Sequence, residues 1–147
     1  MLSLGSEIFT IGRLSFFDQA PESDEQAAKL YIPFRIGGMN FSAQLDTGAP
    51  WTILNADIAE AFDLFNGTGQ QVPISTRLGR ITGRLERINI TLVAVEGASL
   101  DVDATVFVSR DWTEQSFIGW SGFLERVRFA IDPSRSRQHF YFGPAVV

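Results

Sequence analysis

A chain of 147 residues, 45% hydrophobic and 20% charged, is long enough for one sizeable core and has the composition of an ordinary soluble globule. It contains no cysteine, which excludes disulfides and thiolate metal sites, and its net charge of -5 argues against general nucleic-acid binding, which leaves a basic footprint. No apolar run approaches the roughly 20 residues of a membrane span, and residues 1–7 lack the basic and apolar regions of a signal peptide, so a cytoplasmic location is expected. The 13 Phe and 3 Trp, with many β-branched residues, lean toward β structure.

Residues 8–17 read as a first strand, with Gly12 as a bulge or bend, and residues 18–26 as a polar, acidic loop. Residues 31–36 alternate as a strand, Gly37-Gly38-Met39-Asn40 turns the chain, and residues 41–45 return as the hairpin partner. Asp46-Thr47-Gly48 therefore hangs from the end of a hairpin. After Ile53-Leu54, Asn55 caps a short helix through Ala61, with Asp57 in its first turn. Residues 65–69 form a turn-rich connector and residues 72–74 begin a strand.

Residues 77–84 carry glycines four apart, Gly79 and Gly83, and read as an exposed, mobile β-hairpin. They lack the Gly-Lys-Ser/Thr ending of a phosphate loop. Residues 85–95 form a long strand with Ile88, Ile90 and Leu92 on one face. Gly97-Ala98-Ser99 turns, and residues 100–109 form another strand with Val102, Ala104, Val106 and Val108 on one face. Phe117-Ile118-Gly119 is a short apolar approach to a glycine, and residues 122–126 form one helical turn or two. Residues 127–131 and 138–142 make a terminal hairpin. There is no low-complexity segment and no solenoid-type repeat.

Asp is depleted in strands, so one flanked by Phe41-Ser42-Ala43-Gln44-Leu45 and Trp51-Thr52-Ile53-Leu54 needs a reason. Thr47 supplies a supporting hydroxyl, and Gly48 lets the backbone approach closely or take a positive φ. The product is a carboxylate presented at a sharp turn, as an acid-base catalyst requires. The other reading is a turn carboxylate that merely accepts local backbone N–H bonds. His139, the only histidine, lacks a Ser or Cys nucleophile context and reads as structural, which makes a serine- or cysteine-type triad unexpected. Asp101 and Asp103 alternate on a strand and face water rather than forming a calcium site.

On these residues the chain resembles the retropepsin-like aspartic proteases, as a bacterial-like single-domain member. The family signature is hydrophobic-x-hydrophobic-Asp-Thr/Ser-Gly-Ala, a short spacer, Thr/Ser and an aliphatic residue. Ala43, Leu45, Asp46, Thr47, Gly48, Ala49, Thr52, Ile53 and Leu54 fit it, and Gln44 departs where an apolar or small residue is usual. Phe117-Ile118-Gly119-Trp120-Ser121-Gly122-Phe123-Leu124 is similar to the late family element, and Glu125-Arg126-Val127 continues it as in bacterial relatives. The likeness runs from residue 29 to the C-terminus. It implies a retropepsin-like domain at 29–147, preceded at 1–28 by an N-terminal strand and acidic loop that it covers less well.

The resemblance implies an all-β, closed-barrel fold with one or two short helices, and an aspartic endopeptidase that needs neither metal nor cofactor. Only one Asp-Thr-Gly is present, and the late element has Ile118-Gly119 where a two-lobed enzyme would have its second Asp. A homodimer acting on a protein or peptide substrate is thus implied, with no nucleic-acid or membrane partner. Asp46 would be the catalytic acid/base, Thr47 would brace the two active-site loops, Gly48 would shape the loop, and Ala49 would line the cleft. Leu78, Gly79, Ile81 and Gly83 are candidates for the tip of a substrate-binding flap, or belong to a plain surface hairpin.

Pro50 and Trp120 occupy positions where retroviral members often carry a paired acid and arginine. Trp51 and Trp120 either pack near the cleft and touch substrate or are ordinary core aromatics. Arg77, Arg80, Arg84 and Arg87 either favour acidic substrates or form a solvated face. The alternative to proteolysis is a non-catalytic module of the same fold, binding peptides or mediating assembly.

Overall fold

The computed structural model describes residues 1–19 and 29–145. Among them the strands are β1 (Ser3–Leu4), β2 (Glu7–Ile8), β3 (Gly12–Ser15), β4 (Phe17–Gln19), β5 (Lys29–Ile36), β6 (Met39–Leu45) and β7 (Thr52–Ile53). After the helix α1 (Ala56–Ala61) come β8 (Gln71–Thr76), β9 (Gly79–Leu92), β10 (Glu96–Gly97), β11 (Leu100–Val108), β12 (Phe117–Ile118), β13 (Val127–Asp132) and β14 (His139–Pro144). Two single 3-10 turns, Leu64–Asn66 and Leu124–Arg126, complete an all-β architecture. No helix among the described residues is long and apolar enough to cross a membrane.

The largest sheet runs β4-β5-β6-β12-β7-β11-β9-β8, and a further pairing of Arg35 in β5 with Thr91 in β9 joins its two halves into a ring. A second sheet, β10-β3-β14-β13, packs against it, and β1-β2 is a small separate hairpin. One large cluster fills the interior: Ile32, Phe34 and Ile36 from β5, Ile90 and Leu92 from β9, Val102, Ala104 and Val106 from β11, and Phe140 and Phe142 from β14 are all buried. Each buried Val, Leu, Ile or Phe among them contributes about 1.5–3 kcal/mol by leaving water.

Local sequence explains the hairpin that leads to Asp46. Gly37 and Gly38 both have positive φ (54° and 81°), the backbone of a two-residue turn whose twist suits antiparallel strands. Odd and even positions of β5 then alternate between partial exposure and burial, the pattern of a strand with one face in the core. The Asn55 side chain accepts from the Asp57 N–H at 2.8 Å, capping α1 as its residue type suggests.

Four expectations change. Residues 8–17 are not one strand, because β2 ends at Ile8, β3 covers only Gly12–Ser15 and Phe17 opens β4. Gly12 is no bulge: it pairs in register with Gly97, and a Cβ there would lie 2.2 Å from the carbonyl oxygen of Ala98, the residue that follows β10. The hairpin at residues 77–84 and the strand at residues 85–95 are one continuous ribbon, since β9 runs unbroken from Gly79 to Leu92. The acidic loop is a strand at its start, where Asp18 pairs with Leu30, and residues 20–26 lie outside the described residues. The segment at residues 122–126 holds one short turn, Leu124–Arg126.

Candidate active site

The short strand β12 separates β6 from β7. It runs parallel to β6, with Ile118 opposite Leu45, and antiparallel to β7, with Phe117 opposite Ile53. The chain leaving β6 must therefore cross the end of β12 before entering β7, and Asp46 to Trp51 make that crossing. Its fastenings are backbone groups: Asp46 N donates to Ile118 O at 3.0 Å, Trp120 N to Ala49 O at 2.9 Å and Ser121 N to Pro50 O at 2.9 Å. Thr52, fully buried, accepts from Gly119 N through its hydroxyl at 3.0 Å.

Within the crossing, Ala49 N donates to Asp46 O at 3.1 Å and closes a turn, and Gly48 N donates to the Asp46 carboxylate at 2.9 Å. The half-buried Asp46 side chain is thus aimed by the backbone two residues on. The support expected from Thr47 comes instead from Gly48. Thr47 is exposed, and among the described residues its hydroxyl makes no hydrogen bond within the chain.

Asp46 borders a cleft of about 380 Å³. Gly48, Ala49 and Pro50 form one wall, and the hairpin β8–β9 supplies another through Ile74, Ser75, Thr76 and Arg77. Ile53, Trp112 and Phe117 line its apolar part, with Gln44 and Lys29 at its polar side. Asp46 is the only carboxylate among the described residues that line it. No cluster of three or more His, Cys, Asp or Glu that could hold a metal ion occurs among the described residues.

The hairpin tip is the two-residue turn Arg77-Leu78, held by Leu78 N donating to Thr76 Oγ1 and by Thr76 Oγ1 donating to Gly79 O. Leu78 is 61% exposed there, and Gly79 has φ +109°. Ile81 lies two residues further along β9 and packs with Ile53, Ile74 and Trp112 beneath the tip. Gly83 is not at the tip: it pairs with Val72, and a Cβ on it would meet Val108 O at 2.3 Å and the Phe107 ring at 2.6 Å.

Of the residues expected along the cleft, Ala49 lines it. Leu78, Gly79, Ile81, Trp51 and Trp120 sit outside its lining in the single chain. Trp51 is half-buried against the Ile53–Trp112 cluster, whereas Trp120 is 48% exposed beside the Asp46 turn.

Trp112 was not singled out from sequence. It lies in an irregular loop with no periodicity, yet it is buried, with its indole N–H donating to Gln115 O at 3.0 Å and its ring 5.8 Å from that of Phe117. Gln44, the departure from the family pattern, also reaches the cleft. Its amide oxygen accepts from Gln115, whose own oxygen accepts from the Tyr31 hydroxyl at 2.8 Å.

The late element earns its sequence in the same way. Glu125 accepts from Gly122 N at 2.6 Å, Arg126 donates to Asp103 O and Thr105 Oγ1 in β11, and Phe123 and Leu124 are buried. Gly122 has φ +80° and stands against the Thr105 backbone, a position with no room for a side chain.

Residues 32–126 match the model of a family described as gag-polyprotein putative aspartyl protease. Among solved structures, the chain is similar to the crystal structure of a retropepsin-like aspartic protease from Rickettsia conorii, at 17% identity and a TM-score of 0.53. That likeness covers 95% of this chain and 100% of the other, and it concerns the fold. No curated protein matches.

Proposed function

Because the chain belongs to the retropepsin-like gag-polyprotein aspartyl protease family, we propose that it is an aspartic endopeptidase that works as a homodimer. The observation that carries this reading is the half-buried Asp46, aimed by Gly48 and the only carboxylate among the described residues that line its cleft. Hydrolysis by this chemistry takes two carboxylates, and a second copy related by a twofold axis supplies the other.

One Asp46, ionised, takes a proton from the attacking water. Its counterpart, protonated, donates to the scissile carbonyl as the tetrahedral intermediate forms. Two like charges at close range cannot both ionise, so the pair shares a single proton. Gly48 holds each carboxylate in place, Ala49 lines the wall along which substrate lies, and the exposed Thr47 hydroxyls brace one turn against the other. The β8–β9 hairpin covers the bound peptide and excludes water. The substrate is a protein or peptide in extended form.

Asp46→Asn keeps the shape and removes the charge. Wild type is expected to digest an unfolded protein at mildly acidic pH, and the variant is expected to lose at least a thousandfold in rate with its circular dichroism unchanged. If neither protein cleaves while both remain folded and bind peptide, the chain is a binding module of this fold and not an enzyme.

A further inference from the structure

The cleft beside Asp46 combines an apolar floor with a cationic rim. Ile53, Ile74 and Trp112 are buried and form one cluster with Phe117 packed against it, so the floor offers no charge to a substrate. At the rim stands Arg77, in the turn of the overhanging hairpin, with Arg80 close by in the same hairpin.

Most arginines of the chain are already engaged. Arg13, Arg84, Arg87, Arg110, Arg128 and Arg137 pair with carboxylates. Arg35 and Arg126 donate to Asn40 and to backbone and hydroxyl oxygens of β11. Arg77 and Arg80 are exposed and, among the described residues, make no ion pair or hydrogen bond. Arg77 thus places a positive charge at the rim of the cleft, with no carboxylate partner among the described residues, in a protein whose net charge is -5.

Resting on the peptidase reading above, we propose that this site selects peptides carrying an acidic side chain within reach of Arg77, next to a bulky apolar residue seated on the floor. The floor sets the position of the peptide, and Arg77 sets the sign of charge it accepts. An exposed ion pair of this kind is modest and screened by salt, so the expected preference is about fivefold for each change of charge at low ionic strength.

Three peptides serve as the test, identical except for Glu, Gln or Arg at one position, with the position scanned along either side of a central Phe. In wild type at low salt, kcat/KM is expected to fall from Glu to Gln to Arg by about fivefold per step at one register, and the spread is expected to narrow in concentrated salt. Arg77→Glu is expected to invert the order. Arg135→Glu, which makes the same change of net charge in the β13–β14 turn, is expected to leave it as in wild type. Equal kcat/KM for the three peptides at every register overturns the proposal, as does an Arg77→Glu variant with the wild-type order. Should no peptide be cleaved, the peptidase reading fails separately, and fluorescence anisotropy with the same labelled peptides reads the charge order directly. There, an inverted order in Arg77→Glu supports the proposal, and equal affinities overturn it.

Discussion

Gly119 and Trp51 approach so closely that a Cβ built on Gly119 would lie 2.2 Å from the Trp51 carbonyl oxygen and 2.9 Å from that of Ala49. Both oxygens belong to the crossing that carries Asp46, and neither can move without shifting it, because Trp120 N donates to the same Ala49 oxygen. Gly119→Ala is therefore expected to cost about 3 kcal/mol, the upper end of ordinary overpacking, and to disturb the Asp46 turn even in molecules that fold. Urea denaturation followed by tryptophan fluorescence measures the first effect. A midpoint within error of wild type would mean that the crossing yields easily.

Thr52 holds the same junction from below. Its hydroxyl accepts from Gly119 N at a site with no solvent exposure. Thr52→Val keeps the volume and leaves the buried N–H without a partner, a loss of about 1–3 kcal/mol. Thr52→Ser keeps the acceptor and should recover most of it. Comparing the two denaturation midpoints separates the hydrogen bond from the methyl group; equal loss in both would assign the effect to packing alone.

These contacts explain which parts of the site were legible in the sequence. The glycine pair before β6, the Asn55 cap and the Asp46 signature each announce themselves locally, because a positive φ, an orphan N–H or a carboxylate in a tight turn between two apolar strands admits few residue types. The insertion of β12 between β6 and β7 is not local. Two residues carry no periodicity, and their pairing is fixed by partners more than sixty residues away in sequence. Gly83 misled for a different reason. It has the look of a turn residue, but its missing side chain makes room for the Phe107 ring and the Val108 carbonyl, so β9 runs on through it. Trp112 gave no signal because an aromatic in an irregular loop has no register to reveal its facing.

Acid stability should reflect paired surface carboxylates. Asp132 is held below its ordinary range first by the Ser134 hydroxyl, then by Ser134 N, with Arg137 adding a smaller attraction. Arg87 does the same for Asp103, and Arg13 for Glu96. A carboxylate with a depressed pKa in the folded state stabilises that state above the unfolded pKa, around pH 4. It loses that contribution as pH falls through the folded value. The denaturation midpoint is thus expected to be flat from neutral pH to about pH 5 and to fall below it. Asp132→Asn keeps the local turn but binds no proton, so its midpoint should fall less between pH 5 and pH 2.5. Parallel curves for variant and wild type would remove Asp132 from the account.

Trp120 bears on the proposed dimer. Its N–H is fastened to Ala49 O, which sets the side chain beside the Asp46 turn, yet the residue is 48% exposed in the single chain. Bringing two Asp46 turns together across a twofold axis covers whatever flanks Ala49, and a large amphipathic ring is the residue type that gains most from such cover. In a homodimer built this way Trp120 supplies the brace, and truncating a central interface tryptophan costs about 2 kcal/mol, or roughly thirtyfold in dimer Kd. Trp120→Ala should weaken association by that factor in sedimentation equilibrium while leaving the circular dichroism of the monomer intact. Peptidase activity of the variant should fall at low protein concentration and recover as concentration rises, because the catalytic groups themselves are untouched. Wild-type emission should shift to shorter wavelength as the dimer forms, and the variant should lack most of that shift. A variant that dimerises as tightly as wild type would place Trp120 outside the contact and leave the two Asp46 turns to be held together by other residues.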